Sequence, residues 1–221
     1  MRHPATQALY AYWNEVRGNR RAPRRLEIQP AHIADILLDT FILERGESGR
    51  FRFRLAGTRV ANRFGLLLKG QDFSSCWGEG DRNLFAHHVG AIVDMPRVGV
   101  FTGEADVMDG NRIIGTSSFE LLVLPLMHTG QAIDRLLCLL VPLDEDDNRL
   151  KNGASLNRLR LMAAEAIWPN GEPQDQVSLQ GRQLPLHPHV RVARIVRQGR
   201  RQFRVYEGGL DTADRDKSQA I

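Results

Sequence analysis

Residues 97–124 read RVGVFTGEADVMDGNRIIGTSSFELLVL. At their centre stands Asp109-Gly110, a pair that tolerates the positive φ a two-residue hairpin turn demands. Runs rich in Val, Ile, Phe and Thr flank it, so the stretch predicts two antiparallel strands, Arg97 to Met108 and Arg112 to Leu124. A third strand, Leu136 to Leu143, follows a longer loop around His128-Thr129-Gly130. Toward the N-terminus, Pro96 ends a helix that starts near Asp81 and runs to Met95, with Leu84, Phe85, Val89, Ile92 and Met95 on its apolar face. Further back lie two earlier strands, Thr40 to Glu44 and Arg50 to Ala56. In the second, Phe51, Phe53 and Leu55 alternate with Arg50, Arg52 and Arg54, which predicts one apolar and one charged face. Thr58 caps a short helix that Gly65 closes, and Pro30 opens another through Ile33, Ile36 and Leu37. Two strands, a helical block and three strands in meander predict an α+β domain, a five-stranded antiparallel sheet with helices on one face.

The flanks read differently. Pro4 to Arg17 predicts a helix in which Ala5, Ala8, Leu9, Tyr12, Trp13 and Val16 form a stripe. That stripe must be covered, so Leu9, Tyr12, Trp13 and Val16 either dock on the domain or form the seam of a homodimer. Beyond Pro142 the acidic run Asp144 to Asp147 reads as a linker. The spacing of Leu156, Leu159, Ala163, Ala166 and Ile167 predicts a helix from Ser155 to Trp168, and residues 170–188 read as loose. Val190 to Val196 and Gln202 to Tyr206 pair as a basic hairpin before a polar, disordered tail. The expected organisation is 1–29 helix and basic linker, 30–143 domain, 144–221 C-terminal extension.

Of the 221 residues, 42% are hydrophobic, enough for one core and an appendage. No apolar run reaches the roughly 18–20 residues that cross a bilayer, and no apolar leader follows Met1, so a cytoplasmic location without membrane attachment is expected. The net charge of +4 is uneven. The first 25 residues hold six arginines against Glu15, and residues 182–204 hold seven arginines and no acid, which leaves the rest at −8. Basic flanks suit an acidic partner surface, a nucleotide phosphate or nucleic acid, and equally an ordinary solvated arm. The two cysteines, Cys76 and Cys138, have neither metal-ligand spacing nor a disulfide framework, and no metal site is expected.

Several local words carry a resemblance: Tyr12-Trp13, Arg17-Gly18, Pro23-Arg24-Arg25 running to Ile28 and Pro30, Arg52-Phe53-Arg54-Leu55-Ala56-Gly57-Thr58, Phe64-Gly65, and Lys69-Gly70-Gln71-Asp72-Phe73. Together with the element order they make residues 8–143 resemble a largely uncharacterised bacterial subfamily of PAS-domain proteins. The resemblance implies a PAS fold and a sensory or regulatory role, in which a small ligand or protein partner is bound and signalling passes through dimer or helix contacts. It implies no particular ligand, because PAS domains bind haem, flavins or small metabolites, or simply dimerise, and fold does not fix function.

Candidate residues follow from that frame. A ligand pocket is expected between the long helix and the sheet, lined by Phe85, His88, Val89, Ile92, Phe119, Leu121 and Val123. His88 falls inside the helix's apolar face, where a histidine hydrogen-bonded in the core and one orienting a small ligand both outrank haem ligation. Flavin ranks lower still, since Cys76 lies between Ser75 and Trp77 and lacks the polar neighbours a photoreactive thiol requires. Arg200, Arg201 and Arg204 resemble the arginine cluster with which some receptor domains hold cyclic dinucleotides, and guanidinium pairs suit phosphate; the Asp-x-Ser-x-x-Gly word that accompanies such clusters is missing, and Tyr206-Glu207-Gly208-Gly209 stands there instead. A nucleotide- or nucleic-acid-binding role for the arginine flanks is the alternative and is not favoured, because only Phe203 and Tyr206 interrupt the arm to stack on bases. The chain has no G-x-S-x-G, no H-E-x-x-H and no phosphate-cradling glycine loop, so no enzyme is expected. The acids Glu104, Asp106 and Glu120 read as polar-face residues.

Overall fold

The computed structural model describes residues 1–46, 49–65, 67–95, 97–128, 132–144, 148–170, 190–198 and 201–208. They fall into two compact units, Met1–Glu172 and Pro173–Ile221. The first unit begins with helix α1 (Pro4–Arg17), whose N-terminus is capped by the His3 imidazole accepting from the Ala5 amide and whose end is turned by Gly18 at φ 56°. Strands β1 (Thr40–Arg45) and β2 (Phe51–Ala56), helices α2 (Thr58–Phe64) and α3 (Glu79–Asp94), and strands β3 (Val98–Asp109), β4 (Arg112–Met127) and β5 (Ile133–Pro142) follow. The two early and three late strands join into one antiparallel sheet, as the hairpin signal and the helical block predicted. The fold is α+β and PAS-like.

That sheet has a sixth strand. Residues Ser155–Ile167, expected as a helix, form β6, which pairs antiparallel with β3 and completes the order β2-β1-β5-β4-β3-β6; a short helix α4 (Asn148–Lys151) precedes it. The misreading has a local cause. Leu156 and Leu159 are three residues apart, as on a helix face, and both are buried. Between them Arg158 sits at φ 48° in a bulge, so that Glu104 faces Arg160 while Asp106 faces Asn157. One extra residue brings two side chains at odd spacing to the same side of a strand. Helix propensity in Leu-Met-Ala-Ala-Glu-Ala amounts to tenths of a kcal/mol per residue, and pairing the backbone groups along a twelve-residue edge of β3 outweighs it.

A bulge also corrects β2. Ile42 pairs with Leu55 but Leu43 with Phe53, leaving Arg54 as the extra residue. Phe53 therefore points into the core, whereas Leu55 turns to the opposite face and is 53% exposed. The free edge of β2 is closed by the chain at residues 70–72, through Phe53 N–H to Gln71 O (2.9 Å) and Gly70 N–H to Phe53 O (2.8 Å).

Helices cover both faces of the sheet. On the inner face, α3 lays Phe85, Val89, Ile92 and Val93 against the strands. Leu84 and Met95, expected on this apolar face, lie at its margins and are each 47% exposed. On the outer face, α1 buries Leu9 and Trp13 completely, while Ala8 is exposed. The segment expected as one helix after Pro30 forms two 3-10 turns, Pro30–Ile33 and Leu37–Asp39. The second unit contributes the expected hairpin, β7 (Val190–Gln198) and β8 (Arg201–Gly208).

Candidate functional site

Alternation along β4 assigns its two faces. Phe119, Leu121 and Val123 turn to α3, and Glu120 turns to α1 together with Leu122 and Leu124. All six are buried because each face carries a helix. The residues expected to line a ligand pocket, Phe85, Val89, Ile92, Phe119, Leu121 and Val123, are thus brought to one interface. Aromatic rings occupy it: Trp77 stacks on Phe85 with centroids 4.2 Å apart, Phe85 meets Phe101 and Phe73 at 5.3 Å each, and Trp77 meets Phe119 at 6.0 Å. Phe41, Phe53 and Phe73 extend the cluster at centroid distances of 5.2–5.3 Å. Such offset and edge-to-face pairs stabilise beyond their burial, by about 0.5–1.5 kcal/mol each.

His88 lies at the margin of this interface, not within it. The buried stripe is centred between Phe85 and Val89, which leaves the imidazole half-buried against the Phe101 ring at 5.9 Å. Burial, then the neighbouring His87 and Arg97, hold its pKa below the ordinary histidine value.

Glu120 corrects the reading of the strand acids. Its carboxylate is fully buried, accepting from the Arg2 amide at 2.7 Å, the His3 amide at 3.1 Å and the Thr6 hydroxyl. Burial pushes its pKa up, but the Thr6 hydrogen bond, the two backbone donors and the N-terminal ammonium outweigh that and hold it below the ordinary value. Trp13 secures the other end of α1 by donating Nε1–H to Pro125 O at 2.9 Å. Asp106 is buried as well, paired with Arg160 at 2.6 Å.

Next to α1 the outer face opens into a groove of about 320 Å³. Ile42, Leu55 and Leu137, consecutive across three paired strands, form its floor, and Ile28, Ile33, Leu37 and Leu38 form its wall. Leu37 and Leu38 are 36% and 39% exposed. The wall is anchored through Asp39, whose carboxylate lies 2.7 Å from both Arg59 and Arg63 on α2. Gly57 beneath it admits no side chain, because a Cβ there would collide with the carbonyls of Leu37 and Leu38. Arg25 stands at the rim. Tyr12 ties the same wall to α1: its hydroxyl accepts from the Gln29 amide at 2.8 Å and its ring lies 5.5 Å from that of His32. Alternation alone concealed this groove, since a regular β2 hides Leu55 in the core.

The remaining candidates are scattered. Val16 packs at the edge of the core. Arg201 and Arg204 lie on β8 opposite Gln198 and Ile195, and Arg200 falls outside the described residues. Both cysteines are buried thiols; burial pushes Cys76 up to about 12 and Cys138 well above the ordinary range. Because the thiolate is the reactive form, neither is expected to be alkylated by iodoacetamide at pH 8 in the folded chain, whereas both react in denaturant; mass spectrometry of the quenched samples measures this.

Among the described residues no helix is long and apolar enough to cross a membrane, and no group of three or more His, Cys, Asp or Glu could hold a metal ion. Nothing matches this chain among curated proteins or solved structures. A family model described as PAS domain matches residues 1–141, the stretch that carries α1, the ring-filled interface and the first five strands. The chain belongs to the PAS-domain family.

Proposed function

We propose that this sensory or regulatory PAS protein works as an adaptor whose outer-face groove receives an amphipathic segment of a signalling partner, with apolar anchors flanked by acidic residues. The observation that carries this reading is the contrast between the two faces. Rings fill the space under α3, while the face beside α1 holds an open apolar groove bordered by partly exposed Leu37, Leu38 and Leu55. Arg25 at the rim and Arg52, on the same face of β2 as Leu55, favour an acidic partner over a second copy of this arginine-bordered surface. A side chain inserted between Leu38 and Leu55 displaces the wall that Tyr12 links to α1, so occupancy shifts the helix by differential affinity for two positions.

The test selects binders from displayed acidic amphipathic peptides and measures their affinity by fluorescence polarisation. Leu55→Asp is expected to weaken selected peptides at least tenfold, because it places a carboxylate on the apolar floor among acidic ligands. Equal affinity for wild type and variant refutes the groove. Self-association of the wild type that Leu55→Asp abolishes in sedimentation makes the occupant a second copy instead.

A further inference from the structure

Where α3 ends and β3 begins, a second and smaller pocket of about 140 Å³ lies between His88, Ile92, Arg97, Phe101 and the β6 residues Ala164 and Ala166. It is separate from the outer groove: Phe101 and Gly99 turn to the α3 side of the sheet, and their partners on β6 are Ala164 and Ala166. The β6 side is open because its lining residues Ala164 and Ala166 are small. On β3 the Ile92 and Phe101 side chains occupy the position a Cβ at Gly99 would take, and so form the floor.

Two nitrogen-bearing side chains line this pocket. Arg97 stacks over the Trp168 ring with its guanidinium carbon 5.6 Å from the centroid, and its Nε is buried and donates to no described residue. A guanidinium N–H donates and cannot accept, so the group it suits is an acceptor. The imidazole of His88 is the other nitrogen group. Glu165 is the acid among the lining residues; its neighbours along β6, Ala164 and Ala166, face α3, so its own side chain turns to the other face, where the carboxylate lies 3.8 Å from the N-terminal ammonium. His87, one residue from His88 with rings 6.0 Å apart, adds no negative charge. The balance facing the cavity is cationic.

We infer that the His88–Arg97 pocket binds a small oxyanion, a carboxylate or phosphate group, with the Arg97 Nε–H and the His88 imidazole as its donors. A charged acceptor satisfies the orphan donor with a charge-assisted bond. It also reaches the rest of the chain, because Arg97 rests on Trp168, the residue that directly follows β6. Occupancy therefore bears on where the chain leaves the sheet.

The experiment uses the full chain with ¹⁵N-labelled histidine, titrated with sodium acetate and separately with sodium phosphate while sodium chloride holds ionic strength constant. An anion beside the imidazole favours its protonated form, so the expected result is a saturable shift of the His88 resonances and a rise in its pKa. Arg97→Lys keeps the charge but removes the Nε donor, and is expected to weaken binding about tenfold, the value of a charge-assisted hydrogen bond. Should that variant fail to fold, as judged from amide dispersion, His88→Asn with the ¹⁵N-labelled Arg97 Nε–H resonance as the readout is expected to show a comparable loss. Saturation by acetate alone makes the ligand group a carboxylate, and by phosphate alone a phosphate. A shift that chloride reproduces, no saturable shift with either anion, or unchanged affinity in folded Arg97→Lys overturns the inference.

Discussion

Trp13→Ala is expected to lower the unfolding free energy by about 3–5 kcal/mol, the range found when a large buried aromatic is truncated in a packed core. Trp13 has no exposed surface, and Leu9 is the one other large apolar side chain that α1 buries completely. The loss has three parts. A cavity opens against the outer face of β4 and β5, the Arg17 guanidinium 5.5 Å above the ring loses its aromatic surface, and Pro125 O loses its donor. Urea denaturation followed by circular dichroism measures the shift in midpoint at constant m-value. Trp13→Phe restores the ring but not the N–H, so about 1 kcal/mol of the loss is expected to persist. If α1 instead packed against a second copy, sedimentation of the wild type would show a dimer and the alanine variant a stable monomer.

The second large effect belongs to Glu120. Glu120→Ala removes the acceptor of three donors, the Arg2 and His3 amides just before α1 and the Thr6 hydroxyl in its first turn, with an expected cost of about 2–3 kcal/mol as those groups are left unsatisfied. Glu120→Gln is no full rescue, because one carboxylate oxygen becomes an NH₂ group facing a backbone N–H. The same carboxylate gives the fold an acid dependence. Its folded-state pKa lies below the unfolded one, so its contribution is fully present above the ordinary carboxylate range and is lost as pH falls through the folded value. Wild-type stability is therefore expected to fall more steeply with acidification than that of Glu120→Ala, and the two curves to converge at low pH. Chemical denaturation across a series of acidic pH values measures both; parallel curves would show that Glu120 carries no linked proton.

Glu120 also shows how far the sequence was legible at the site. A single carboxylate inside Phe-Glu-Leu-Leu-Val-Leu is a signal, because an acid enters a buried strand only with partners. Its donors, however, lie in residues 2–6, more than a hundred positions away, and no local pattern names them. Arg97 is a parallel case, ordinary in sequence beside Pro96 and notable only once its Nε is seen buried. His88 shows a different limit: an angular count on a helix gives relative directions, but which residue marks the centre of the buried face is decided by what packs on it. The groove was hidden by one extra residue at Arg54, and β6 by one at Arg158.

The sequence by itself determined the alternating and helical runs, the hairpin at Asp109-Gly110, the join of two early and three late strands into one sheet, and the family. These rest on short-range physics: turn residues that accept positive φ, side-chain periods of 2 and 3.6, and apolar faces that must be buried. Tertiary structure alone decided the sixth strand, the docking of α1 on its own sheet, and the outward turn of Leu55. Those depend on bulges that reverse a face with a single residue, and on backbone and carboxylate groups whose partners come from distant parts of the chain.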